Sequence, residues 1–139
     1  MIRWGTYRVV FLVGSLAIKL PRPKHFSAGM RCNRWERETW QVWRPVFGWE
    51  NLCPVLAADP LGLVLFMPRA QQPVSQAEAH DALHPDYYPG VDAETKAANF
   101  GRLGSAVLVL DYGLPDEDDV QQRRSYLGEH RKRLSRGGY

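Results

Sequence analysis

Hydrophobic positions fall into short runs divided by glycine and proline, with one long amphipathic stretch among them. Residues 7–13 are rich in β-branched and aromatic side chains, and residues 16–20 repeat that character after Gly14-Ser15. Two strands joined by a short glycine-containing turn are predicted. Pro21 and Pro23 end the second strand, because proline offers no amide hydrogen to the ladder. Residues 27–43 read as a helix. Cys32, Trp35, Glu36, Trp40 and Trp43 share a broad face, Ser27 is the predicted N-cap, and Pro45 and Gly48 close the helix. Residues 52–57 and 62–67 are two further apolar runs around the turn Asp59-Pro60-Leu61-Gly62, and read as a second hairpin. Residues 71–89 are polar, with a short helix at 75–83, and residues 92–100 form a helix or a structured loop. Residues 106–110 are an unbroken aliphatic run, the mark of a buried strand. From Pro115 a last helix opens on acidic residues and closes on Arg131-Lys132-Arg133, complementing its dipole.

Length and composition then limit the picture. At 139 residues, 45% hydrophobic and 24% charged, the chain is predicted to be one soluble domain with a single core. Arg3 and Arg8 ahead of an apolar run imitate a signal peptide. However, Gly14-Ser15 splits that run, no small-residue cleavage site follows, and it is too short to span a bilayer. No membrane association is expected. Cys32 and Cys53 lack metal-ligand spacing and suit free thiols in a reducing cytoplasm, and the four isolated histidines suggest no structural metal. Five tryptophans imply core positions and a contact surface. The excess positive charge gathers at Arg123, Arg124, Arg131, Lys132, Arg133 and Arg136. A solvated helix end is favoured there over a nucleic-acid contact.

Four segments, in order, resemble protein-kinase signatures. Leu16-Ala17-Ile18-Lys19 is similar to the strand whose lysine holds the nucleotide phosphates. Asn33-Arg34-Trp35-Glu36 lies on the following helix, where a glutamate pairs with that lysine. Glu36 faces inward with Trp40 and Trp43, and Glu38 is the alternative. Glu94, Lys96 and Asn99 hold the relative positions of the catalytic-loop Asp, Lys and Asn. Asp111-Tyr112-Gly113 ends the buried strand at 106–110 as a triplet resembling Asp-Phe-Gly, twelve residues after Asn99 and beyond a Gly104-Ser105 turn.

This resemblance spans residues 7–113. It implies an α+β, protein-kinase-like fold in one domain over residues 1–139, with a small antiparallel sheet and packed helix to about residue 70. A reduced second part would carry the catalytic-loop and Asp-Phe-Gly-like segments. It further implies ATP and Mg²⁺ as ligands, with Lys19, Glu36 and Met67 on the nucleotide side and Met67 at the hinge. Asn99 and Asp111 would be on the metal, while Glu94 orients an acceptor hydroxyl and Lys96 neutralises the transferred phosphoryl group. There are departures. Glutamate replaces aspartate at position 94, and no His-Arg precedes it. Gly5 and Gly14 do not make a glycine-rich loop, with little room for a strand before residue 7. No Ala-Pro-Glu segment or peptide-docking helices follow Gly113. Two functional expectations stand: a minimal phosphotransferase with an unknown acceptor, or an inactive, pseudokinase-like protein that binds or inhibits a protein partner. Small proteins of the second kind suit phages and mobile elements.

Overall fold

The computed structural model describes residues 1–82, 96–114 and 117–136. The fold is α+β, built on an antiparallel five-stranded sheet in the order β1-β2-β3-β5-β4. Its strands are β1 (Ile2–Trp4), β2 (Arg8–Val13), β3 (Leu16–Pro21), β4 (Ala57–Ala58) and β5 (Leu65–Pro68).

A strand does precede residue 7. Three residues suffice to pair Ile2 with Phe11, Arg3 with Val10 and Trp4 with Val9. All three are exposed, so β1 carries no buried alternation by which to recognise it. Gly14, at φ 57°, turns the chain between β2 and β3, and Val10 pairs with Lys19 and Leu12 with Ala17. Because side chains alternate across a strand, Arg8, Val10 and Leu12 share the inner face of the sheet with Ala17, Lys19, Leu65 and Met67.

Against β3 lies α1 (Phe26–Glu38), entered from a 3₁₀ turn at Pro23–His25. That turn starts the helix one residue ahead of the expected cap, Ser27, and no side chain caps it. The approach to the sheet is close. A Cβ on Gly29 would stand 2.5 Å from the Tyr7 carbonyl oxygen and 2.7 Å from the Pro21 Cα. Trp35 is 1% exposed. An indole takes about 200 Å² out of water, worth about 5 kcal/mol at 25 cal/mol/Å². Beyond Glu38 the helix widens into a π-helical segment, Thr39–Trp43, before α2 (Arg44–Phe47). Pro45 therefore sits inside the helical run, at the first turn of α2, where its missing amide hydrogen is tolerated. Gly48, at φ 67°, ends the run by donating its N–H to the Arg44 carbonyl at 2.9 Å.

The expected strand at 52–57 is reduced to β4. Leu52, Cys53 and Val55 are buried core residues, but Pro54 between them cannot donate to a ladder. Instead, Leu52 bridges to Val109, with Cys53 N–H donating to the Val109 carbonyl at 2.9 Å. α3 (Gln76–Ala82) begins on a capping box, in which Ser75 Oγ accepts from the Glu78 amide at 3.0 Å and Glu78 Oε1 from the Ser75 amide at 3.2 Å. A hairpin of β6 (Phe100–Leu103) and β7 (Ala106–Val109) follows, then α4 (Glu117–Arg136). α4 is tied to α1 by the Arg31–Glu117 pair at 3.1 Å and the Arg124–Glu38 pair at 2.8 Å, and its Val120 is buried in the core.

A single core joins these parts, running from Leu12, Ala17 and Met67 through Trp35, Trp43 and Trp49 to Phe100, Val109 and Tyr112. With three tryptophans inside, the anticipated Trp-rich surface shrinks to Trp4 and the half-buried Trp40. Among the described residues no helix is long and apolar enough to cross a membrane.

Candidate functional site

The inner face of the sheet and the segments flanking the β6–β7 hairpin, before Phe100 and after Val109, line a cleft of about 680 Å³. Register explains its contents. Phe100 pairs with Val109, so the hairpin brings Asn99 beside Leu110 at its open end, with the Leu110 amide donating to the Asn99 carbonyl at 2.8 Å. Asn99, Asp111 and Lys96 thereby face Ala17, Lys19 and Met67 across one space. The loop Gly5-Thr6-Tyr7, between β1 and β2, lines the same cleft.

Behind the cleft lies a buried charge network. Lys19 Nζ meets Glu36 Oε1 at 2.9 Å and donates to the Leu110 carbonyl at 2.5 Å. Glu36 Oε2 accepts from Arg8 Nη2 at 2.7 Å and from the Tyr112 amide at 3.0 Å. Arg8 Nη2 also reaches Asp111 Oδ1 at 2.6 Å, and its Nη1 donates to Asn33 Oδ1 at 3.0 Å. Asn33 Nδ2 in turn donates to the carbonyls of Lys19 at 3.2 Å and Gly62 at 2.9 Å. The Tyr112 hydroxyl donates to the Cys53 carbonyl at 2.8 Å. One carboxylate thus ties together the helix, two strands and the segment leaving β7. Of the two candidate glutamates on α1, Glu36 meets Lys19 and Glu38 is turned to Arg124 on α4.

The electrostatics follow from burial and pairing. Glu36 is fully buried, which alone would favour its neutral form, but Arg8 and Lys19 outweigh that and lower its pKa from 4.5 to about 2. Burial likewise opposes the charge on Arg8, and Glu36 and Asp111 overcome it and raise its pKa. Desolvation pushes Cys32 up to about 12 and Cys53 up to about 11, leaving both as thiols near neutrality. Tyr112 is raised well above its ordinary value, first by burial and then by the nearby Glu36 charge.

Because Glu36 binds its proton less readily folded than unfolded, its contribution to stability is complete above about pH 4.5 and is lost as pH falls towards 2. Between pH 6 and pH 3 this one group is expected to remove about 2 kcal/mol. Urea titrations at the two pH values should show that increment in the native chain and lack it in Glu36→Gln. Equal acid sensitivity in both would refute the assignment.

Asp111 is the carboxylate that the kinase resemblance assigns to Mg²⁺, and its Oδ1 is taken by Arg8. Among the described residues no three His, Cys, Asp or Glu side chains gather as a metal cluster. Among the described residues, Arg3, Arg8, Lys19 and Lys96 stand against Glu36, Asp111 and Asp119, a net positive set. Such a cleft favours an anion.

Of the residues singled out in the sequence, Lys19, Glu36, Met67, Lys96, Asn99 and Asp111 come together at or directly behind this cleft. Glu94 lies outside the described residues. Arg8, Asn33 and the Tyr112 amide are absent from the sequence-derived set. Arg8 had a signal, since alternation from Val10 and Leu12 puts it on the face that carries Lys19. On α4, Arg124 is paired with Glu38, while Lys132 and Arg133 remain exposed. Comparison with protein-family models, with curated proteins and with solved structures gives no match to this chain.

Proposed function

We propose that this protein binds a nucleoside triphosphate in a kinase-like manner. The observation that carries the reading is the buried Lys19–Glu36 pair at 2.9 Å, set at the cleft into which the segment after β7 brings Asp111. In a kinase, a strand lysine held by a helix glutamate and an aspartate beyond a buried strand must both be in place around the phosphates. Ala17 and Met67 would then provide an apolar wall for the base, with Lys19 and Lys96 placed for the phosphates. The Arg8–Asp111 contact favours binding over phosphoryl transfer. On that reading the chain is pseudokinase-like, and a protein partner takes the place of an acceptor substrate.

The test is thermal unfolding with ATP. At ten times its Kd, ATP should raise the melting temperature by about 4 °C or more. Lys19→Met, checked for native circular dichroism, and the surface variant Lys96→Ala should each weaken the effect. No shift with ATP, ADP or GTP up to millimolar concentration would sink the proposal.

A further inference from the structure

The residue that sets this cleft apart from the one it resembles is Arg8. Its side chain is buried and held on three sides, by Asn33 Oδ1 at 3.0 Å, Glu36 Oε2 at 2.7 Å and Asp111 Oδ1 at 2.6 Å. The contact with Asp111 is decisive. A magnesium ion at this aspartate would be left with Oδ2, because Arg8 holds Oδ1, and would stand beside a guanidinium carrying its own positive charge. Two like charges a few ångströms apart repel, the more so where the protein limits screening by water. Mg²⁺ also prefers one or two unencumbered carboxylates together with phosphate oxygens and water. Moving Arg8 aside is no simple remedy, because its other partners, Asn33 and Glu36, lie on α1 and are fully buried.

Resting on the nucleotide reading above, we infer that Arg8 is a built-in cation in place of the metal, so that the cleft binds a nucleoside triphosphate without a divalent ion. Arg8 and Lys19 balance Asp111 and Glu36, and among the described residues Arg3 and Lys96 against Asp119 leave the cleft net positive toward a tetra-anionic triphosphate. Mg²⁺ bound to the nucleotide would lower the ligand's negative charge and bring a second positive charge close to Arg8. Free ATP should therefore bind more tightly than its magnesium complex, the reverse of the kinase order. Arg8 is a positioning residue here. It acts through Asp111 and through the field of the cleft.

The two readings of Asp111 have opposite signs in Asp111→Asn, which is conservative at a half-exposed position. If Asp111 is a metal ligand, the change abolishes magnesium-dependent binding. If it is the partner of Arg8, the change removes a negative charge beside the phosphates, releases Arg8, and tightens ATP about fivefold. Isothermal titration of the whole chain with ATP in EDTA, then in excess MgCl₂, separates these outcomes. Binding in EDTA at least as tight as in MgCl₂, tightened further in Asp111→Asn, is the expected result. Binding seen only with MgCl₂ and lost in Asp111→Asn would overturn the inference and leave nucleotide binding intact. No binding of ATP to the native chain in either buffer would overturn both. The native-chain comparison needs no substitution, so the inference stays testable should the variant fail to fold.

Discussion

Replacing Glu36 with Gln is expected to cost about 3–5 kcal/mol of stability, the range found when one partner of a buried ion pair is removed. Glu36 has no solvent exposure, and Arg8 and Lys19 are each nearly buried around it. The neutral amide keeps the volume of the side chain but leaves two cations with Asp111 as the remaining carboxylate of the network. It also presents an NH₂ group toward donors where an oxygen accepted before. Urea denaturation followed by tryptophan fluorescence measures the loss directly, since Trp35 lies one position away on α1. Glu38→Gln is the matched control. It breaks a partly exposed pair with Arg124 on the same helix, for which under about 1 kcal/mol is expected. Losses of equal size in the two variants would mean that the buried network is no more important than a surface pair. A large loss confined to Glu36→Gln would also explain why the carboxylate is present irrespective of any ligand. It is the shared acceptor that fixes α1, β2, β3 and the start of the Asp111 segment to one another.

That architectural role explains which parts of the site were readable from sequence. Lys19 and Asp111 each end an apolar run, and Glu36 lies on an amphipathic helix, so their elements could be recognised from local pattern alone. Choosing Glu36 over Glu38 required tertiary information, because α4 supplies Arg124 to one of them. Arg8 was legible in principle. A two-residue turn at Gly14-Ser15 fixes Val10 opposite Lys19, and alternation then carries Arg8 to the same face. A lone arginine at the start of a strand gives no local sign that it is buried, however, and its partners lie 25, 28 and 103 residues away. Similar reasons hid β1, whose residues are exposed, and the loss of the strand at 52–57. There the apolar pattern was genuine, but its burial arises from loop packing around Pro54 rather than from a ladder. The π-helical segment at Thr39–Trp43 has no periodicity signature of its own either, and Pro45 looked like a terminator.

The second large effect is expected at Gly62, in the turn that joins β4 to β5. Gly62→Ala should cost about 3–5 kcal/mol, combining left-handed backbone strain with overpacking. Gly62 has φ 86°, and a Cβ there would stand 2.2 Å from the Met30 carbonyl oxygen and 3.0 Å from Arg34 Cγ. The first obstacle is helix backbone, which cannot swing away as a side-chain tip can. Relief therefore requires α1 and the turn to separate. Gly14→Ala isolates the backbone contribution, because Gly14 has φ 57° and nothing within 4 Å of its would-be Cβ. About 1–2 kcal/mol is expected there, so the excess at Gly62 measures the steric part. The separation also has a functional reading. Gly62 accepts a hydrogen bond from Asn33, which holds Arg8 through its other atom and stands one helical turn ahead of Glu36. Pushing α1 outward should loosen both grips on the charge network. Under conditions where the variant remains folded by circular dichroism, ATP affinity should fall together with stability, whereas Gly14→Ala should leave affinity unchanged. Equal destabilisation by the two substitutions would show that helix and turn are not in close contact. Loss of stability with undiminished affinity would show that the position of α1 does not govern the cleft.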